Sequence, residues 1–170
     1  MLDRTDDISI ATENWLAQFE SALASPDENL LEILFHPDSH WRDVLALSWN
    51  IQTISGADDI LGELKTFARG AAPSGFAVDP DRRVPRKVMR AGTDCIEAIF
   101  KFETKVGRGA GILRLIPDAA DGNKPRAWTL LTELGELKGF EEQLGAQRAR
   151  ITLQSRPRHH AQSPPGRVVI

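Results

Sequence analysis

Tyrosine is absent from this 170-residue chain, although it holds four Trp and seven Phe, so no phenol is on hand as acid, base or hydrogen-bond donor. Cysteine is nearly absent. The single Cys95 excludes an internal disulfide and a cysteine-built zinc site, and it fits a reducing compartment. No apolar run approaches the ~20 residues that cross a bilayer, and the acidic start, Met1-Leu2-Asp3-Arg4-Thr5-Asp6-Asp7, lacks the basic and then greasy pattern of a secretion signal. A cytoplasmic protein without a membrane partner is expected. Basic charge is also scarce over most of the chain: up to Glu142, 16 basic residues face 24 acidic ones, a net of −8, whereas the five Arg beyond it meet no acid, a net of +5. An acidic body argues against nucleic-acid binding, which wants a basic face across the fold.

What is present is the mix of one compact domain, 41% hydrophobic and 26% charged. Ile8, Ala11, Trp15, Leu16, Phe19, Ala22 and Leu23 follow helical spacing and predict an amphipathic helix ending near Ser25. Ser25-Pro26-Asp27-Glu28 is a capping box that starts a second, short helix through Leu30, Leu31, Ile33 and Leu34. Over 45–53 the pattern alternates, predicting a half-buried strand with Leu45, Leu47, Trp49 and Ile51 on one face. Ser55-Gly56-Ala57-Asp58-Asp59 supplies an N-cap and first-turn acids for a third helix carrying Ile60, Leu61, Leu64 and Phe67. After Gly70, turn residues punctuate short alternating runs near 76–89, 95–103, 110–116 and 127–134. Helices followed by a meander predict an α+β fold. Residues 1–145 are expected to form the domain; 146–170, with Arg156-Pro157-Arg158-His159-His160 and Ser163-Pro164-Pro165-Gly166, read as a Pro- and Arg-rich linker.

Several motifs are set aside. Gly107-Arg108-Gly109-Ala110-Gly111 sits in a predicted hairpin, where it cannot open the helix that a dinucleotide loop needs. His159-His160, and His36 with His40, lack a plausible ligand set, so no metal site is expected. Cys95 reads as a small buried hydrophobe. Arg82, Arg83, Arg86, Lys87 and Arg90 read as a solvated face, Glu97 with Lys101 as a surface pair, and Glu103 and Glu133 as solvent-facing strand ends.

The order of elements, together with Leu34-Phe35-His36-Pro37-Asp38-Ser39-His40-Trp41-Arg42-Asp43, resembles the nuclear transport factor 2-like superfamily, which includes ketosteroid isomerase and SnoaL-like cyclases. The resemblance covers about residues 8–142. It implies a cone-shaped, strongly bent antiparallel sheet wrapped around an N-terminal helical layer, enclosing an apolar pocket. Phe35, Asp38 and Asp43 match the isomerase's Phe-x-x-Asp-x-x-x-x-Asp stretch, so Asp43 falls where the general base would be. The isomerase's oxyanion tyrosine falls on Phe19 and its protonated aspartate near Gly111, so both donors are missing; losing one oxyanion donor costs about 3 kcal/mol or more, and steroid isomerisation is not expected. Trp41-Arg42-Asp43 with Leu45-Ala46-Leu47-Ser48-Trp49, then 96–104 and 127–139, look more specifically like the SnoaL-like domain preceding the flavin- and NAD(P)-binding domains of bacterial flavin monooxygenase-like proteins. Gly166-Arg167-Val168-Val169-Ile170 looks like a Rossmann strand cut before its glycines, which implies an N-terminal piece of such a protein. No cofactor is expected within this chain; FAD and NAD(P) would belong to a downstream domain.

Asp43 either acts as a general base beside Trp41 and Trp49, with His40 orienting it or sharing its proton, or it pairs with Arg42 or caps a turn. Trp15, Phe19, Trp41, Trp49, Phe100, Phe102 and Trp128 either line a pocket for a hydrophobic ligand or build the core, and the Trp128 indole is a potential donor to a ligand carbonyl. The expected function is a small-molecule-binding accessory domain without complete catalytic apparatus, dimeric through its sheet. Alternatively the chain is a stand-alone isomerase, cyclase or dehydratase using Asp43. A third option is a scaffold module whose pocket is filled by side chains.

Overall fold

The computed structural model describes residues 4–24 and 28–140. The box at 25–28, the linker, the His159-His160 pair and the Rossmann-like end fall wholly or largely outside those residues. Three helices, α1 (Arg4–Ala24), α2 (Glu28–Leu34) and α3 (Ala57–Ala71), pack on one face of a seven-stranded sheet. The strands are β1 (Phe35–Val44), β2 (Ile51–Ser55), β3 (Ser74–Val78), β4 (Arg86–Arg90), β5 (Thr93–Glu103), β6 (Gly107–Asp118) and β7 (Lys124–Leu137). They run in the order β2-β1-β7-β6-β5-β3, with β4 paired to the first half of β5. The α+β class is as expected; the sheet is mixed, because β1 lies parallel to β7. Register shifts in β6–β7 and in β3–β5 bend it around the helices.

The α1 stripe is buried as its spacing predicts, through Trp15, Leu16, Phe19, Ala22 and Leu23. The strand expected over 45–53 is replaced by a turn. β1 ends at Val44, residues 45–50 fold into a compact bend, and β2 starts only at Ile51. Alternation broke there because Leu45 and Trp49 sit at φ 62° and 58°, which costs bulky residues about 1–3 kcal/mol each. The N-cap of α3 also differs: Gly56 caps it without a side-chain hydrogen bond, while the Ser55 hydroxyl meets His40 Nδ1 at 2.8 Å.

The run expected at 76–89 is two separate strands. β4 joins β5 through Ala91-Gly92, both at positive φ, which is the two-residue hairpin geometry that places Arg86 opposite Glu97. Gly107, Gly109 and Gly111 lie on the inner side of β6, and the rings of Phe102 and Phe100 occupy the space above Gly109 and Gly111. Their absent side chains make room for aromatic packing, not for a phosphate. Among the described residues, no helix is long and apolar enough to cross a membrane.

Candidate functional site

One row of residues crosses the inner face of the sheet: Phe100, Gly111, Thr132, Asp43 and Gln52, from β5 to β2. Asp43 is completely buried. Its Oδ2 accepts from the Ser48 hydroxyl at 2.6 Å and the Ser48 amide at 2.8 Å, and the Leu47 amide bridges both oxygens at 3.1 and 3.2 Å. Oδ1 accepts from the Thr132 hydroxyl at 2.6 Å. An indole N–H can only donate, so the Trp41 Nε1 contact at 2.9 Å fixes Thr132 Oγ1 as its acceptor and directs the threonine proton to Asp43. This is the turn-capping role for Asp43: it fastens the 45–50 bend to β1 and β7. Arg42 is not its partner, since that guanidinium reaches Thr53 at 3.0 Å.

His40 stands an odd number of residues from Asp43 on the same strand, so the two point to opposite faces of the sheet. It bonds Ser55 and lies 3.9 Å from Asp38. The expected proton sharing between His40 and Asp43 therefore does not occur.

The expected pocket residues divide. Trp15, Phe19 and Phe35 pack against one another, and Phe19 continues to Phe76, Phe100 and Phe102 through ring centroids 5.0–5.9 Å apart. Trp15 also donates its indole proton to the Leu34 carbonyl at 2.9 Å. With Trp41 fully buried, these side chains fill the place where the resemblance puts a pocket. Trp49 is 54% exposed, because its left-handed backbone turns the ring outward from the bend. Trp128 is half-buried and is the extra residue of β7 at a bulge, where Thr129 pairs with Arg114 and Ala127 with Leu115.

Trp15 also borders a cleft of about 420 Å³, with Ile10, Asn14, Gln18 and Leu34. A cleft of about 560 Å³ separates the first turns of α1 from β4, β5, β6 and the start of β7. Its apolar wall is Ile8, Ala11, Ile96, Leu115, Ile116, Pro117 and Pro125, and Asp7, Lys87, Asp94 and Asn123 supply polar groups. Cys95 lines it as well; burial pushes that thiol up, away from the reactive thiolate, in keeping with a small hydrophobe. This volume is within the roughly 300–1,000 Å³ of small-molecule sites. The composition of its lining was in the sequence, but its assembly from 7–11, 87, 94–96, 115–117 and 123–125 was not readable there.

The outer face holds a cluster the sequence reading placed in solvent. Glu97, only 10% exposed in its side chain, accepts from Arg90 at 2.8 Å through two nitrogens, from Arg86 at 3.0 Å and from Arg114 at 3.0 Å. The Arg90 hydrogen bonds lead in holding its carboxyl down at about 2, against an ordinary 4.5. A depressed acid stabilises the fold above its unfolded value and loses that contribution as pH falls. Unfolding midpoints in urea should therefore drop between pH 4.5 and about 2. Glu97→Gln is expected to flatten that limb and to cost about 2 kcal/mol at neutral pH, after allowance for the partly exposed arginines. An unchanged acid limb in the variant would refute this role. Among the described residues there is no group of three or more His, Cys, Asp or Glu able to hold a metal ion.

No protein-family model and no curated protein matches the sequence. Solved structures do match in shape. A nuclear transport factor 2-like protein of unknown function from Silicibacter pomeroyi superposes with a TM-score of 0.56 at 10% identity, over 78% of this chain and 100% of that one. A protein of unknown function with a cystatin-like fold from Nostoc punctiforme gives 0.54 at 11% identity, over 79% and 94%. Nuclear transport factor 2 from Cryptosporidium parvum gives 0.51 at 10% identity, over 78% and 95%. With its curled mixed sheet around three helices, the chain has the nuclear transport factor 2-like, cystatin-like α+β fold.

Proposed function

We propose that this domain binds a small hydrophobic molecule in the cleft beneath the start of α1 and does no chemistry on it. The observation that carries this is the division of labour in the fold. The cleft is open and ligand-sized, while Asp43, the best candidate base, has both oxygens engaged by donors and does not line it. A base must reach a substrate proton through a free lone-pair direction, and here those directions serve the 45–50 bend. A catalytic isomerase, cyclase or dehydratase is accordingly the second reading. The likeness of residues 41–49, 96–104 and 127–139 to the domain that precedes FAD- and NAD(P)-binding domains supports an accessory role in a monooxygenase-like protein. A flavin-type glycine loop encoded in frame or next door is its check.

Nile red, a neutral apolar dye, is the direct probe of the cleft. It should bind saturably at one site per chain, and Ala11→Trp, which fills the cleft from the helix side, should weaken binding by roughly tenfold or more without lowering the thermal midpoint. Equal binding by wild type and variant would remove the cleft as the site.

A further inference from the structure

Glu97 can answer one positive charge and is met by three. Arg86 and Arg90 reach it from β4 and Arg114 from β6, so three guanidiniums converge on one carboxylate from both flanks of β5, at 2.8–3.0 Å, and leave a surplus of +2. Among the described residues, no second acid contacts any of the three. Their neighbours on that face of the sheet, Val88, Ile99, Ile112 and Thr129, carry no charge either. Like charges gathered this closely repel one another, and a second anion would relieve that. The donors for it are in place. Three guanidiniums carry fifteen N–H groups, of which Glu97 takes four hydrogen bonds and Thr129 one, at 3.5 Å. The arginine side chains are 29–43% exposed over a carboxylate that is 10% exposed, so Glu97 lies beneath and the guanidiniums can be reached from solvent.

We propose that Arg86, Arg90 and Arg114 form a binding site for a phosphate group, with Glu97 as the positioning residue that holds the three guanidiniums together. A monocarboxylate would leave one charge unanswered. A phosphate monoester carries about −1.5 to −2 at neutral pH, which matches the surplus, and its oxygens accept the paired N–H groups of an arginine fork. The same group comes free in solution or as the headgroup of an anionic lipid, and the test separates these sources.

Titration calorimetry of the full chain with inorganic phosphate, in chloride buffer, should show one saturable site with a Kd of about 1 mM or tighter, and phosphate should raise the thermal midpoint. Arg86→Gln and Arg114→Gln should each weaken binding by roughly tenfold or more. Arg86→Lys should weaken it as well, because the charge stays while the fork is lost; this variant keeps a cation beside Glu97 and so guards against a loss of folding, which circular dichroism checks. Arg69→Gln, which removes the same charge from the exposed side of α3, should bind as wild type does. Co-sedimentation with vesicles of phosphatidate in phosphatidylcholine, against phosphatidylcholine alone, identifies the source. Pelleting that Arg86→Gln abolishes assigns the headgroup, and phosphate binding without pelleting assigns a soluble phosphate. The proposal is overturned if the chain takes up neither phosphate nor phosphatidate, if Arg86→Gln and Arg114→Gln bind as wild type does, or if Arg69→Gln loses as much as they do. None of these outcomes bears on the cleft, which lies on the helix side of the sheet.

Discussion

Asp43→Asn is expected to lower the unfolding free energy by about 3 kcal/mol, read as a shifted urea midpoint with an unchanged slope. The buried carboxylate receives two hydroxyl and two amide protons. An asparagine keeps one acceptor oxygen and turns an NH2 toward a group that donates, so even with that oxygen on the Ser48 side the Thr132 hydroxyl loses its acceptor in the dry interior. Hydrogen bonds to a charged group are worth about 1.5–3 kcal/mol each, and a stranded buried donor adds to that. The Thr132 hydroxyl cannot reverse to compensate, because Trp41 already donates to its oxygen. Asp43→Ala should cost more and leave Trp41 in a changed environment visible in its fluorescence. Wild-type stability in the asparagine variant would show that the carboxylate is not holding the bend, and would return Asp43 to the list of free bases.

The second large effect is expected at Gly111. A methyl group there would run into the Leu131 carbonyl and the Phe100 ring, and the first of these is backbone that cannot swing aside. Gly111→Ala should therefore force β6 and β7 apart or push Phe100 out of the aromatic stack, at about 3 kcal/mol. Phe100→Ala alone should cost about 3–5 kcal/mol. The double variant should cost less than the two together, since the alanine at 111 then meets one obstacle fewer. Strict additivity in this cycle, or a normal melting temperature for Gly111→Ala, would contradict the packing described for this row.

How much of this was legible can be followed residue by residue. α1 and α3 were readable because a helix repeats its buried stripe locally, and Trp15, Phe19, Ile60 and Leu64 are buried as their spacing requires. The 45–50 bend was not. Its alternation imitates a strand, and the left-handed backbone at Leu45 and Trp49 is imposed by hydrogen bonds to Asp43, two residues before the bend, whose orientation depends on Thr132, distant in sequence. Glu97 lay between these cases. Reading Ala91-Gly92 as a two-residue hairpin turn would have placed Arg86 and Arg90 beside it, whereas Arg114 arrives from the next strand.

By itself the sequence determined the α+β class, the helical layer, the meander and the absence of any phenol. Those follow from composition and short-range periodicity, which act within a few residues. Tertiary structure alone decided that Phe19 and Phe100 fill the centre instead of lining it, that Asp43 is saturated by Ser48, Leu47 and Thr132, and that the 560 Å³ cleft lies under the start of α1. Each of these depends on which strands become neighbours, and that is settled by closing the whole sheet around its core, not by any local preference.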